Sequence, residues 1–315
     1  MSWIELKLNT THEGVDWFCT LISENIDIND IYITQYAEVT TANSHWRFTI
    51  RLYLPYDFTG RIRLENIENL LSPLYRTGMT TAIETTLVET KITDGPQPPL
   101  HQIGDKFIIV NSNTPAESEI PEKIPLKIQK TLAFGSGLHP TTILSLRLLE
   151  RYITPQMQVL DFGSGSGILS VAMAKLGANV LALDNDSIAV QATQETVILN
   201  GVEQQVKVIS GSLGCGCQLG HWMGGNSVND GSAIAVKQIF DLIVANIFAR
   251  VHIALADDFR RSLRQTKTPA GLLITSGFTT DHEENVTTAL NTAGFEVIDC
   301  ERLNEWVALT HQYNA

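Results

Sequence analysis

Apolar and polar positions in the first 90 residues follow strand and helix periods in turn. Strand-like segments alternate apolar with polar residues, and helix-like segments repeat apolar residues every three or four positions. The segments are, in order, Trp3–Leu8, Val15–Glu24, Arg47–Pro55, Asn66–Tyr75 and Thr81–Val88. They suit the order β-α-β-β-α-β, with no range predicted for its second strand. We therefore predict a small α+β, ferredoxin-like domain over residues 1–91.

A proline-rich segment follows this domain. Its prolines are Pro96, Pro98, Pro99, Pro115, Pro121 and Pro125. One strand-like run, Lys106–Val110, lies between the two groups of prolines. Proline fixes φ and lacks a backbone N–H donor, so this density disfavours regular structure. We predict a linker over residues 92–125.

The rest of the chain alternates short apolar strands with helical stretches, as in a parallel sheet covered on both faces. The predicted strands are Gln158–Phe162, Val180–Leu183, Val206–Ile209, Phe240–Ala245, Leu272–Thr275, Glu296–Ile298 and Trp306–Thr310. Between the third and fourth lies Ser210–Ser232, whose seven glycines disfavour a helix and indicate an insertion. The pattern predicts one seven-stranded, doubly wound α/β domain over residues 126–315.

The overall composition restricts the class of protein. A 315-residue chain that is 43% hydrophobic and 18% charged is typical of a folded globular protein with two domains. No apolar run reaches the roughly 20 residues that cross a bilayer, and the first residues lack a basic segment followed by an apolar one. The four cysteines do not form the dense framework of a secreted protein. We expect a cytoplasmic monomer with reduced thiols and no membrane partner.

The formal net charge of −12 bears on the choice of partner. Binding to a phosphate backbone depends on Lys and Arg side chains, so an acidic chain disfavours direct contact with nucleic acid. A basic protein or a small molecule is therefore the expected partner.

The most informative motif is a buried strand that runs directly into a Gly-x-Gly-x-Gly turn and then a helix. The glycines are Gly163, Gly165 and Gly167, within the sequence VLDFGSGSGILS. Glycine allows positive φ and close approach of a ligand, and N–H groups at the helix start can donate to a ligand carboxylate. The methionine end of S-adenosylmethionine supplies such a carboxylate. A dinucleotide site would place its third glycine at Ile168, so NAD is disfavoured.

Two acidic residues accompany this glycine turn. Asp184 ends the next predicted strand about 20 residues after Gly163, where a carboxylate can accept hydrogen bonds from both ribose hydroxyls. Asp161 lies two residues before Gly163 and either reaches the ligand's ammonium group through water or simply holds the turn. We predict Asp184 as the ribose ligand, Asp161 as a second contact, and S-adenosylmethionine as the cofactor.

Asn246 follows the fourth strand and places a neutral amide at the carboxyl edge of the sheet, where open α/β folds bind ligands. An amine attacks a sulfonium methyl through its lone pair, so it must be deprotonated and oriented. The amide oxygen can accept an N–H and orient the amine, whereas a carboxylate would stabilise the unreactive ammonium. We predict Asn246 as the catalytic residue and as a cofactor contact. A structural turn residue is the alternative.

The glycine-rich insertion contains Cys215, Cys217 and His221, which are soft-metal ligands by type. One residue between the cysteines is tighter than the usual zinc spacing, and no fourth ligand is evident. A surface loop is the preferred interpretation, and no metal is predicted.

Three motifs stand in a specific order: AFGSGLHPTT over residues 133–142, the glycine turn, and Ala245-Asn246-Ile247. Ser276-Gly277 and Glu305-Trp306 follow them. Together these motifs resemble the bacterial ribosomal-protein methyltransferases of the PrmA family, over about residues 130–311. The resemblance implies a class I, Rossmann-like methyltransferase domain after a ferredoxin-like domain. It also implies transfer from S-adenosylmethionine to lysine or N-terminal amines of a large-subunit ribosomal protein.

By the same resemblance, the loop from Phe134 to Thr142 lies over the cofactor, with Phe134, Gly135 and Thr141 as contacts. Capping of the next helix is the alternative role for Thr141 and Thr142. His139 is assigned to loop structure rather than to catalysis, because methyl transfer to a neutral amine can proceed without a base.

Departures from the family pattern keep other functions open. The family loop usually reads Phe-Gly-Thr-Gly-Thr-His, whereas Ser136 and Leu138 stand at the two threonine positions here. The linker also lacks the expected tryptophans. These differences favour, as an alternative, a methyltransferase for a small amine or peptide metabolite. A non-catalytic S-adenosylmethionine-binding protein is a third hypothesis, against which the glycine turn and Asn246 argue.

Overall fold

The computed structural model describes residues 2–22, 31–36, 45–91, 101–111, 122–128, 139–214, 233–234, 238–265 and 270–314. The chain divides into two compact units. The first comprises residues 1–101 with 130–132, and the second comprises residues 102–129 with 133–315.

The first unit contains a four-stranded sheet and two helices. Its elements are β1 (Trp3–Thr10), α1 (His12–Ile22), β2 (Ile31–Gln35), β3 (Phe48–Pro55), α2 (Phe58–Arg76) and β4 (Glu84–Val88). The strands lie in the order β2-β3-β1-β4, and all paired strands are antiparallel. Alternate residues of β1, Ile4, Leu6 and Leu8, join Ile67 and Leu71 of α2 in one buried apolar cluster. The order of elements along the chain is the predicted one.

Helix α2 begins at Phe58, well before the predicted start at Asn66. The Asp57 carboxylate accepts a hydrogen bond from the Gly60 N–H at 2.7 Å and caps the helix. A side-chain cap stabilises a helix by about 1 kcal/mol. The cap and the buried position of Gly60 therefore extend the helix through a segment with few apolar residues at helical spacing.

The second unit is built on a seven-stranded sheet. A smaller sheet precedes it, formed by β5 (His101–Ile103), β6 (Phe107–Asn111) and β7 (Ile124–Ile128). The elements that follow are α3 (Pro140–Tyr152), β8 (Gln158–Phe162), α4 (Ile168–Lys175), β9 (Asn179–Asp184), α5 (Ser187–Leu199), β10 (Val206–Ser210), β11 (Ser212–Leu213), β12 (Ala233–Ile234), β13 (Leu242–Asn246), α6 (Ala249–Ser262), β14 (Leu272–Thr279), α7 (Thr280–Thr292), β15 (Phe295–Leu303) and β16 (Trp306–Tyr313).

The large sheet has the strand order β10-β9-β8-β13-β14-β16-β15. Strands β8, β9, β10, β13 and β14 are parallel to one another, whereas β16 is antiparallel to both β14 and β15. This arrangement confirms the predicted seven-stranded, doubly wound α/β fold.

Helices cover both faces of this sheet. Adjacent residues of a strand point to opposite faces, and in β8 Val159 joins one buried cluster while Leu160 joins the other. The first cluster packs α3 and α4 against the sheet, and the second packs α6 and α7. Among the helices in the described ranges, none is both long and apolar enough to span a membrane.

Some strand boundaries differ from the prediction. Phe240, predicted to open the fourth strand, forms an isolated bridge with Leu263, and β13 instead runs from Leu242 to Asn246. Strand β15 extends over Phe295–Leu303, beyond the predicted Glu296–Ile298. Its residues alternate between more and less exposed positions at the edge of the sheet, so an apolar run marks only a part of it.

The predicted linker contains regular structure that its prolines disfavoured. Strands β5 and β6 lie within residues 92–125, and β7 begins there and includes Pro125. Strand β7 is an edge strand of the small sheet, and edge strands tolerate proline because one side needs no backbone donor. Residues 92–100 and 112–121 lie outside the described ranges. The domain boundaries at residues 91 and 125 stay predictions.

Two side chains, one on α3 and one just after α5, form hydrogen bonds with the backbone of the small sheet. The Glu150 carboxylate of α3 accepts the N–H groups of Asp105 and Lys106 at 2.9 and 2.7 Å. The Asn200 amide, after α5, both accepts from and donates to the backbone of Lys127, at 2.9 and 2.7 Å. These hydrogen bonds hold the small sheet against α3 and the end of α5.

Candidate active site

The carboxyl ends of the central parallel strands meet at one edge of the large sheet. Strand β8 continues into the glycine turn, β9 ends at Asp184 and β13 ends at Asn246. In the sheet register, Phe162 of β8 lies between Leu183 and Ala245. The chain passes from β8 to β9 on one side and later to β13 on the other. This edge is therefore a topological switch point, where open α/β folds bind ligands.

The glycine turn depends on its glycines for backbone conformation and for space. Gly163, Gly165 and Gly167 have φ of +81°, +55° and +81°, values that side-chain-bearing residues rarely adopt. A Cβ atom at Gly167 would lie 2.9 Å from the Cα of Thr193. The turn consequently packs closely against α5.

The turn leads directly into the start of α4. Gly167 is the N-terminal cap of this helix and supplies no side-chain hydrogen bond to it. The first N–H groups of a helix lack partners within the helix and carry the positive end of its dipole. The start of α4 can accordingly receive a carboxylate, which is the role predicted for this motif.

Asp184 links the second strand to the glycine turn. Its Oδ2 accepts the N–H of Gly165 at 2.9 Å, and its Oδ1 accepts the N–H of Asp186 at 3.0 Å. A carboxylate offers about four acceptor positions. The two backbone bonds therefore hold the carboxylate in place at the carboxyl end of β9.

Asp161 is fully buried below the turn. Its Oδ2 accepts a short hydrogen bond from the hydroxyl of Ser170, whereas its Oδ1 has no partner among the described residues. Burial is the main cause that raises the pKa of Asp161 to about 7; the nearby charge of Asp184 acts in the same direction, and hydrogen bonding to Ser170 opposes both. The site thus contains a buried acceptor whose charge depends on pH near neutrality.

Asn246 lies at the end of β13 and is 7% exposed. Its Oδ1 is buried and has no hydrogen-bond partner among the described residues. The next residue is fixed, because the Ile247 N–H donates to the Ser276 carbonyl at 3.1 Å. At Gly277, with φ of +90°, an added Cβ would lie 2.5 Å from the Ile247 carbonyl oxygen. The close contact of these strands leaves little freedom in the position of Asn246.

The start of α3 is capped by His139. The Thr141 N–H donates to its Nδ1 at 3.3 Å, and the Thr141 hydroxyl lies 2.8 Å from the same nitrogen. The imidazole is buried and contacts the Trp306 ring edge-on, with centroids 4.8 Å apart. His139 therefore acts in the structure of this segment, and Thr141 takes part in the cap. A direct cofactor contact from Thr141 stays a prediction.

Thr142 differs from its neighbour. Its hydroxyl is buried and has no hydrogen-bond partner among the described residues. Thr141, not Thr142, was the contact predicted from the sequence, and only the geometry points to Thr142. Thr142 is the better candidate for a contact with a bound molecule.

His252 of α6 supports the backbone beside Asn246 and was not predicted from the sequence. Its Nε2 lies 2.9 Å from the carbonyl oxygen of Ser276, the residue that pairs with Asn246. Burial lowers the pKa of His252 to about 4, against the raising effect of its backbone hydrogen bonds. The ring is therefore neutral at physiological pH, and its contact with Ser276 supports β14, the strand that pairs with β13 at Asn246. A lone histidine within a helix carries no sequence signal for this role.

Several predicted residues fall outside the described ranges. They are Phe134 and Gly135 of the loop before α3, and Cys215, Cys217 and His221 of the insertion. Within the described part of the chain, no group of three or more His, Cys, Asp or Glu side chains is arranged to hold a metal ion.

Comparison with known proteins gives a consistent result. The model of one family, ribosomal protein L11 methyltransferase (PrmA), matches residues 2–314. A protein named ribosomal protein L11 methyltransferase from Chloroflexus aurantiacus is 35% identical, over 99% of this chain and 98% of its own. Another of that name from Herpetosiphon aurantiacus is 42% identical, over 67% of this chain and 65% of its own.

One solved structure is similar over much of the fold. The crystal structure of ribosomal protein L11 methylase from Lactobacillus delbrueckii subsp. bulgaricus superposes with a TM-score of 0.56 at 27% identity. The similarity covers 68% of this chain and 99% of that one.

Proposed function

The chain belongs to the ribosomal protein L11 methyltransferase (PrmA) family, and from this membership we propose that it methylates lysine or N-terminal amines of ribosomal protein L11. It is an S-adenosylmethionine-dependent methyltransferase with the class I, Rossmann-like fold. Membership favours a protein acceptor over the small-amine alternative. A ribosomal-protein substrate also suits the predicted cytoplasmic location, which stays a prediction, as does the monomeric state.

The residues at the sheet edge fit S-adenosylmethionine. Three buried polar atoms there have no partner among the described residues: Asp161 Oδ1, Asn246 Oδ1 and the Thr142 hydroxyl. A buried polar group left without a hydrogen bond costs about 1–3 kcal/mol. The lack of described partners for these three groups supports the proposal that a bound molecule, with its water, completes their hydrogen bonds.

Each end of the cofactor has a complementary group. The start of α4, whose first N–H groups lack carbonyl partners within the helix, receives the carboxylate of the methionine moiety. Asp161 reaches the ammonium group through water, and Asp184 accepts hydrogen bonds from the ribose hydroxyls. When bound, S-adenosylmethionine supplies an electrophilic methyl group on a sulfonium.

Asn246 performs the orienting step for the acceptor. Its Oδ1 accepts an N–H from the neutral amine, which directs the nitrogen lone pair towards the methyl group. As a neutral acceptor, the amide does not favour the protonated amine as a carboxylate would. The fixed backbone around Ile247 keeps this oxygen in place, so little reorganisation is needed when the amine arrives.

Neither nearby histidine serves as a base in this proposal. His139 is buried, and its Nδ1 is engaged by Thr141 in the cap of α3. His252 is bound to the Ser276 carbonyl. The amine therefore arrives deprotonated, and the proton released after transfer leaves to solvent.

The observation that carries the proposal is the buried Oδ1 of Asn246, which lies at the sheet edge and has no partner in the described part of the chain. The test compares wild type with Asn246→Ala and Asn246→Asp, using purified ribosomal protein L11 and saturating S-adenosylmethionine. Loss of the orienting oxygen is expected to lower kcat about 100-fold. The Asp variant is expected to be as slow, because its carboxylate stabilises the ammonium form.

Cofactor affinity, measured by calorimetry, separates orientation from binding. We expect the dissociation constant for S-adenosylmethionine to change only a few-fold in both variants. Asp184→Ala is the comparison variant, in which cofactor affinity should fall strongly. Full activity in Asn246→Ala would contradict the assigned role.

A further inference from the structure

The sequence motif Ser276-Gly277 forms a β-bulge in β14, and the proposed reaction gives it no role. The register between β14 and β16 shifts here, so that Ser276 and Gly277 together lie opposite one residue of β16, Ala308. On the other side of β14 the pairing is regular and parallel, and Ser276 pairs with Asn246 of β13. Bulges are common next to active sites, where they redirect a side chain. The bulge therefore sets the direction of the Ser276 side chain beside the strand that ends at Asn246.

Ser276 connects three elements through its hydroxyl and its carbonyl. The residue is fully buried. Its Oγ donates a hydrogen bond to the carbonyl oxygen of Thr141, in the first turn of α3, at 3.1 Å. Its own carbonyl oxygen accepts the Ile247 N–H at 3.1 Å and lies 2.9 Å from Nε2 of His252. One residue thus links the start of α3 to the end of β13 and to α6.

The Thr141 carbonyl does not depend on Ser276 for a hydrogen bond. The same oxygen accepts the Ser145 hydroxyl at 2.8 Å, from within α3. If the Ser276 hydroxyl is removed, this oxygen keeps a partner, so no buried acceptor is left unsatisfied. The two bonds differ in what they join, because the Ser145 bond lies within one helix and the Ser276 bond joins that helix to the sheet. The specific effect of the Ser276 hydroxyl is therefore on position.

The backbone that Ser276 holds leads directly to Thr142. The Thr141 carbonyl and the Thr142 N–H belong to one planar peptide unit, so a bond to that carbonyl restrains the backbone from which the Thr142 side chain projects. The Thr142 hydroxyl is buried and has no hydrogen-bond partner among the described residues. Helix α3 packs against both β13 and β14. A small shift of its first turn would move this hydroxyl relative to the end of β13.

We infer that Ser276 is a positioning residue, whose hydroxyl holds Thr142 in a fixed place relative to Asn246 so that the Thr142 hydroxyl contacts the bound cofactor. Ser276 itself touches neither cofactor nor acceptor and acts through Thr142. The inference rests on the proposed function and adds a link between the cofactor side of the site and the residue that orients the amine.

The experiment uses the full chain, S-adenosylmethionine with a labelled methyl group, and saturating ribosomal protein L11. The readout is kcat/KM for S-adenosylmethionine, which includes both binding of the cofactor and transfer. Ser276→Ala is expected to lower kcat/KM about tenfold, because a displaced contact weakens transition-state stabilisation. Ser145→Ala is the matched control, since it removes the other buried hydroxyl that donates to the same carbonyl. It should show a similar small fall in Tm and keep the wild-type kcat/KM.

A double variant separates positioning from a structural role. Thr142→Val removes the hydroxyl with little change of shape, and alone it should lower kcat/KM at least as much as Ser276→Ala. In the Thr142→Val background, Ser276→Ala should have less than about a twofold further effect, because the group that it positions is already absent.

Three results would overturn the inference while wild type remains active. They are an unchanged kcat/KM in Thr142→Val, equal losses in Ser276→Ala and Ser145→Ala, or losses that multiply in the double variant. A wild-type enzyme that binds the cofactor but labels no amine would instead overturn the proposed function.

Discussion

Single residues at the sheet edge carry polar atoms that no other described residue satisfies. Asp161 is the most costly of them, because it is a carboxylate with no exposure to solvent. Protonation reduces this cost in the cofactor-free protein, which is why burial raises its pKa from 3.8 to about 7. The ammonium group of the cofactor would reverse this preference by favouring the charged form.

The raised pKa of Asp161 predicts a pH dependence of stability without cofactor. Because the pKa is higher in the folded than in the unfolded chain, the folded state keeps a proton that the unfolded state releases. This contribution is complete below about pH 4 and is lost as pH rises to about 7. Relative to wild type, Asp161→Asn should therefore gain about 2 kcal/mol in free energy of unfolding between pH 5.5 and pH 8.

Denaturant unfolding at the two pH values measures this difference. Asp186→Asn, at a half-exposed residue that caps α5, controls for the change from acid to amide. The assignment fails if Asp161→Asn keeps the same difference from wild type at both pH values. Cofactor affinity at pH 8 should fall in Asp161→Asn despite its greater stability.

At the scale of residues, motifs predicted where the candidate site lies but not its internal hydrogen bonds. The glycine turn, Asp184 and Asn246 could be assigned from spacing, because each follows an apolar strand and so lies at one edge of a parallel sheet. The difference between Thr141 and Thr142 could not, since it depends on the direction in which His139 caps α3. The supporting role of His252 depends on a contact between α6 and β14, which the local sequence does not reveal.

At the scale of elements, the glycine turn joins β8 to α4 and is packed against α5. Gly167→Ala combines an unfavourable φ of +81° with a Cβ placed 2.9 Å from the Cα of Thr193. We expect a loss of about 2–4 kcal/mol in free energy of unfolding, together with loss of cofactor binding. Thermal unfolding and calorimetry with S-adenosylmethionine measure the two effects.

Gly201→Ala is the matched control for this prediction. Gly201 also has positive φ, +66°, but no atom lies within 4 Å of an added Cβ. It should therefore show the backbone strain alone, about 1 kcal/mol, and bind the cofactor normally. Equal effects of the two substitutions would show that close packing of the turn against α5 is unimportant.

Predicted and observed element boundaries agree best for strands that are buried on both faces of the sheet. Strand β8 has the predicted range, Gln158–Phe162, because its apolar run ends where the glycines begin. Helix α2 and the strands of the small sheet were harder to predict. Helix α2 is extended by a local cap. The small sheet is held by Glu150 and Asn200, which are far from its strands in the sequence.

For the whole molecule, the order of elements predicted the fold class because strands that alternate with helices have few ways to form one sheet. The division into units was harder to predict, since prolines marked a segment that contains strands of the second unit. The net charge of −12 is a property of the whole chain and suits a basic protein as acceptor.

The most direct test of the account is the identity of the methylated molecule. Labelled S-adenosylmethionine and the purified chain are added to a whole extract from cells that lack this methylation, and the label is located by mass spectrometry. The account predicts label on lysine or the N-terminal amine of ribosomal protein L11. Label confined to small molecules, or no label although the cofactor binds, would contradict it.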